Sequence, residues 1–224
     1  MEEKGLYQAG TAGVESALAT NKVLRNTYAL LSMTLLFSGL TATVSMAMNL
    51  PHPGLLITLA GYFGLLFAVT KTRNSGWGLF FVFALTGFMG LTLGPIISAY
   101  LSMPGGSSIV ATALGGTGLI FLALSGYALT SRKDFSFMGS FLFIGILVGF
   151  LAGLGAFFFQ MPALALTVSA MFVLLMSGLI LYETSNIIHG GETNYIMATV
   201  TLFVAIFNLF TSLLHLLAAF SGED

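Results

Sequence analysis

No cysteine occurs anywhere in the chain. That removes disulfides, thiolate nucleophiles, thiolate-bound zinc and cysteine-held clusters together. Charge is almost as scarce: 7% of residues are Asp, Glu, Lys or Arg, against about 25% in a soluble domain. With a formal net charge of −1 there is no basic field to hold a nucleic acid. The three histidines, His52, His189 and His215, stand far apart, so no metal-ligand spacing arises. Signatures of covalent catalysis and phosphate binding are missing too: no HExxH pair, no GxSxG elbow, no phosphate loop ending in Gly-Lys-Ser/Thr. No cofactor, no metal and no enzymatic reaction are expected from such a sequence. The N-terminus also lacks the basic start, short apolar run and small-residue cleavage site of a signal peptide.

What fills the space instead is hydrocarbon. Apolar residues make up 57% of the chain, and they gather into seven segments: Tyr28–Met48, Gly54–Thr70, Gly78–Leu101, Ser107–Thr130, Phe135–Phe159, Ala163–Ile188 and Ile196–Phe220. Each has, or nearly has, the ~20 residues that cross a ~30 Å core. A bilayer cannot satisfy open backbone groups, and barrel-type alternation is lacking, so the segments must be helices. The expected fold is an all-α membrane protein, a seven-transmembrane-helix bundle over residues 22–224 with the lipid bilayer as its solvent. Residues 1–21 read as a flexible cytoplasmic tail. Pro51 and Pro53, Pro104-Gly105-Gly106 and Pro162 punctuate three connections.

The basic residues orient the bundle. Lys4, Lys22 and Arg25 precede the first segment, Lys71 and Arg73 follow the second, and Arg132 and Lys133 follow the fourth. Alternate loops carry none, so the positive-inside rule puts the N-terminus in the cytoplasm and the C-terminus outside. Gly87, Gly90 and Gly94 line the third segment, and Gly145, Gly149 and Gly153 the fifth. Such small-residue stripes let helix backbones approach closely; packing within the bundle is the expected use, with dimerisation of two protomers or the lining of a narrow pore as the alternatives. The eleven methionines are scattered and read as core fillers.

One polar stretch interrupts the apolar pattern of the second half: Tyr182-Glu183-Thr184-Ser185-Asn186-Ile187-Ile188-His189-Gly190-Gly191-Glu192-Thr193-Asn194-Tyr195. A helix through it places the Glu183 carboxylate inside the bilayer, at a cost of roughly 2.5–3.5 kcal/mol for an ionised group at the helix centre, and such a residue is a candidate site by default. Glu183 is the ion- or proton-sensing candidate. It either pairs with a partner such as Lys71 or Asn186, or snorkels to the interface. Asn186 and Asn208 are suited to hydrogen bonds between helices, and His189 to the same cytoplasmic mouth. Gly190-Gly191 can end the sixth helix, Thr193 or Asn194 can cap the seventh, and Glu192 is expected to be solvated. His52 is expected in a solvated loop, and His215 as hydrogen-bonded or snorkelling.

The runs Asn26–Ser38, Gly94-Pro95-Ile96, Thr130–Phe137 and above all Glu183–Tyr195 resemble the Bax inhibitor-1 (TMBIM) family, and the likeness covers the chain from Lys22 onward. It implies seven helices with the last one central, in a bacterial inner membrane. Two activities follow from it. One is association with the membrane protease FtsH and its HflK/HflC partners, as substrate and modulator. The other is a pH-sensitive leak of calcium ions or other cations, in which acids on the sixth and seventh helices share a proton. Glu183 falls where the resemblance expects the sixth-helix acid. The seventh-helix position holds Ala205, a departure from that pattern.

Overall fold

Apolar length becomes helix along nearly the whole chain. The computed structural model describes residues 2–221, with side chains from Thr20 onward; the expected tail, residues 1–21, lies outside the described side chains but for its last two. The helices are α1 (Glu2–Ala47), α2 (Leu55–Thr72), α3 (Gly76–Leu101), α4 (Gly106–Ser131), α5 (Gly139–Phe158), α6 (Pro162–Ile188) and α7 (Tyr195–Ser221), with a 3-10 turn at Ser136–Met138 before α5. Seven of the helical stretches are long and apolar enough to cross a membrane, that of α1 being Thr20–Ala47. The chain is a multi-pass membrane protein built as a seven-helix bundle.

The last helix is the axis of the bundle. α7 packs on α1, α2, α3, α4 and α6, and α2 and α5 sit at the periphery, α2 chiefly on α3 and α5 on α6. Its Leu202, Phe203, Ala205 and Leu209 are almost wholly excluded from the surface. Large apolar side chains such as Leu36, Leu56, Phe67, Leu119 and Phe143 point outward. In water they would be a liability; in a bilayer they are the lipid-facing surface.

The glycine stripes close contacts inside the bundle. A Cβ at Gly90 would run into Ser38 O and Thr41 Oγ1 of α1, and one at Gly94 would lie 2.8 Å from Ala42 O. On α5, a Cβ at Gly145 would lie 2.6 Å from Leu175 Cδ2 and one at Gly149 2.8 Å from Met171 Cε, both on α6. Close backbone approach is how membrane helices gain dispersion contacts that lipid would otherwise supply.

Pro95 stands inside α3. It lacks the N–H that would bond to Leu91 O, the carbonyl one turn back. Ser45 of α1, fully buried, donates its hydroxyl to that carbonyl at 2.9 Å. The small Gly94 beside it lets Ser45 come this close. An unpaired carbonyl in hydrocarbon is thereby avoided.

Every described basic residue lies at one end of the bundle. Hydrogen bonds tie its loops together: Asn194 Nδ2 donates to Arg73 O (3.2 Å) and Asn74 Oδ1 (2.9 Å), and His189 Nε2 lies 3.2 Å from Arg132 O. We call this the basic end.

Candidate functional site

Glu183 occupies the last two turns of α6, about 7–8 Å in from Ile188 at 1.5 Å per residue. It is 4% exposed, between Ile180 and Ile187, both fully buried. Snorkelling is therefore not what the side chain does. Its Oε1 is enclosed and has no hydrogen-bond partner among the described residues. Lys71 does not pair with it: that side chain is exposed at the end of α2. Asn186, three residues on, is half-buried, and its Oδ1 lies against Gly191, where a Cβ would collide with it.

Hydroxyl groups gather at the same end. Thr184 Oγ1 lies 3.2 Å from Tyr28 OH of α1 and 3.4 Å from Ser125 Oγ of α4. Thr199 Oγ1 of α7 donates to Tyr195 O at 2.7 Å and approaches Thr27 O of α1 at 3.3 Å. Thr27 Oγ1, like Glu183 Oε1, is buried without a partner. These hydroxyls, which can both donate and accept, join α1, α4, α6 and α7 at the basic end, the same end at which α6 buries the Glu183 carboxylate. Reasoning from sequence passed over this set, because isolated Ser and Thr in apolar helices ordinarily bond back to their own backbone. The available signal was their positions: Thr27-Tyr28 at the start of the first span, Ser125 near the end of the fourth, Thr184 and Thr199 flanking the sixth-to-seventh connection.

Beside it, a clasp holds the connection from α4 to α5. Ser185 Oγ donates to Lys133 O (3.0 Å) and accepts from Phe135 N–H (3.0 Å). His189 lies between two carbonyls, its Nδ1 2.9 Å from Ser185 O and its Nε2 3.2 Å from Arg132 O, and its ring N–H donates to one of them. Arg132 itself adopts a left-handed backbone, φ 50°. His189 therefore fastens a loop and is not brought to Glu183. Asp134 completes the loop. Its Oδ1 accepts from Ser136 N–H at 2.8 Å, and that bond, helped by the Ser136 side chain and by nearby His189, holds its carboxyl below the usual range.

The α6–α7 connection is built from local chemistry. Gly190 (φ 75°) ends α6 in the left-handed region, with Gly191 N–H on Asn186 O at 2.9 Å. Asn194 is the α7 cap, its Oδ1 accepting from the Ile196 and Met197 N–H groups at 3.0 and 3.1 Å. Glu192 is not simply solvated. It is half-buried and accepts from Asn194 N–H at 2.6 Å.

Two polar residues on α7 lie elsewhere. Among the described residues Asn208 makes no interhelical bond; it donates to Val204 O of its own helix at 2.9 Å, competing locally for a backbone carbonyl. His215 is hydrogen-bonded, its Nδ1 2.8 Å from Ser169 Oγ. Ala205 is buried and supplies no second acid. No group of three or more His, Asp or Glu side chains that could hold a metal exists among the described residues.

The family pattern described as "Inhibitor of apoptosis-promoting Bax1" matches residues 20–222. The chain belongs to that family. The chain is 54% identical over 209 residues, 93% of its length and 94% of the relative's, to the "Modulator of FtsH protease YccA" of Escherichia coli (strain K12). The same identity and coverage hold for the "Inner membrane protein YccA" of Escherichia coli O6:H1. An uncharacterized protein of Pseudomonas aeruginosa is 52% identical over 218 residues, 97% of this chain and 98% of that one.

Proposed function

We propose that this chain is an inner-membrane, non-enzymatic modulator of the FtsH protease, which it also serves as a substrate, with HflK/HflC as accompanying partners. The observation that carries the reading is 54% identity, over almost the full length of both chains, with a protein named for that role. In this reading the N-terminus faces the cytoplasm, because the basic end lies on that side by the positive-inside rule. Residues 1–21 then offer an ATP-driven protease a segment to seize. Deleting them should lengthen the lifetime of the protein in cells and leave its thermal unfolding unchanged. A degradation rate identical to that of the full chain would remove the tail from the proposal. Overexpression of the full chain should slow FtsH-dependent turnover of another membrane substrate, and unchanged turnover would oppose the modulator role itself.

A second reading, a proton-sensitive leak of calcium or other cations, draws on one feature: a carboxylate, Glu183, buried in the basic end of the bundle. Ala205 weighs against it, since a shared proton needs two acids close together. Calcium flux into liposomes across a range of pH separates the two readings. Flux that rises with acidity and is flattened by Glu183→Gln would favour the leak.

A further inference from the structure

Between α2 and α5 the bundle is cleft. The two helices do not pack on each other along their backbones, and a cavity of about 400 Å³ lies between them, backed by α3, α6 and α7. Met89, Thr92 and Met176 form a buried floor, and Phe63 and Phe143 form an exposed rim, so the cleft opens sideways toward lipid. Phe63 and Phe150 bridge the mouth edge to face, ring centroids 6.0 Å apart.

The wall is aromatic and aliphatic, with no charged or histidine side chain on it, yet two polar groups reach it with bonding capacity to spare. Asn208, midway along α7, uses one N–H on Val204 O and makes no other side-chain hydrogen bond among the described residues. The Tyr62 hydroxyl, midway along α2, also lines the cleft and makes no hydrogen bond among the described residues. Thr92, by contrast, is satisfied by Met89 O at 2.8 Å. A carboxamide and a phenol facing hydrocarbon at mid-membrane depth are costly unless something bonds to them.

The geometry selects among occupants. A phospholipid head stays at the interface, about 20 Å from Asn208 at 1.5 Å per residue along α7, and its acyl chain has nothing to offer an amide. A helix, about 10–12 Å across with its side chains, does not pass a mouth bridged by two rings. Flat rings pack well on an aromatic wall, and an oxygen on such a ring is a hydrogen-bond partner for the carboxamide and the phenol that line it. We infer that the cleft between α2 and α5 is a binding site for an uncharged, ring-bearing lipophile whose carbonyl or hydroxyl oxygen is received by Asn208 and Tyr62.

The test uses the full-length protein in phospholipid nanodiscs and a 4-alkylbenzophenone, an uncharged diaryl ketone that cross-links when illuminated. Mass spectrometry should place the cross-links on the floor, at Met89 and Met176. An excess of 4-nonylphenol should reduce them at least about fivefold, and dodecane, equally lipophilic but without ring or oxygen, should not. Asn208→Leu and Tyr62→Phe should each weaken labelling by about five- to tenfold, the range of one lost hydrogen bond. The competition is read on the unaltered protein and so does not depend on the variants folding. Cross-links spread over outward-facing positions such as Leu56 and Leu119, or equal competition by dodecane, would overturn the site.

Discussion

A buried carboxylate without a basic partner behaves differently from half of an ion pair. Removing one side of a buried pair typically costs about 3–5 kcal/mol because the other charge is stranded. At Glu183 nothing is stranded. Glu183→Gln should therefore leave thermal stability in detergent within about 1 kcal/mol of the parent, or raise it, since the variant no longer buries an ionisable group. Lys71→Met should change stability by less than about 0.5 kcal/mol, as exposed substitutions do. The double variant should show coupling near zero in a double-mutant cycle. A loss of several kcal/mol on Glu183→Gln would mean that an ionised partner reaches the carboxylate. Asp134 gives a pH dependence of known sign. Its folded carboxyl titrates below the usual carboxylate range, chiefly through the Ser136 N–H bond. A depressed carboxyl contributes above its unfolded value and loses that contribution as pH falls through the folded one. The Ser136 amide should thus exchange slowly with solvent at neutral pH and faster as pH falls through the lowered folded value, after correction for intrinsic exchange. Asp134→Ala should abolish that acid-side step.

Helix pairs stand or fall on close approach. Gly90 has backbone of α1 where its side chain would be, so Gly90→Ala should force α1 and α3 apart at about 1–3 kcal/mol, the usual cost of overpacking. Gly153 faces Val168 at an ordinary 3.7 Å, and Gly153→Ala should change melting by no more than about 0.5 kcal/mol. Equal effects at both sites would remove the distinction drawn between a seam and a mere small residue. Ser45→Ala tests the repair of the proline site. It leaves Leu91 O without a donor in a dry contact, which should cost about 1–3 kcal/mol. Pro95→Ala restores an N–H for that carbonyl, so adding it to Ser45→Ala should recover part of the loss. Thermal unfolding of the four proteins in one detergent measures the coupling.

At the scale of the whole molecule, the arrangement around α7 and the gathering of basic residues belong together. Loops 72–75, 131–136 and 189–194 are bonded to one another at a single end, and the opposite connections carry no charge among the described residues. With N-terminus inside, a reporter fused after Asp224 should be active only in the outer compartment, and one fused before Met1 only in the cytoplasm. Both reporters active in the cytoplasm would require one helix to turn back within the membrane.

Composition alone determined the class, because a chain so poor in charge and so rich in hydrocarbon has no soluble way to fold. Segment length determined the number of helices, and proline and glycine determined where most of them stop. The polar stretch at Glu183–Tyr195 likewise disclosed where the only acid within the described spans lies. Tertiary structure decided what each polar residue does, because a partner distant in sequence has no local signature. Ser45 answers a proline in another helix, His189 fastens the loop after α4, and Asn208 faces a cleft instead of a neighbouring helix. Lys71 and Glu183 share an end of the bundle without sharing a contact, since α2 lies at the rim and α6 turns its acid inward. Hydrophobic periodicity reports how much of a helix faces lipid or protein; which side chains meet across an interface depends on helix positions that only packing fixes.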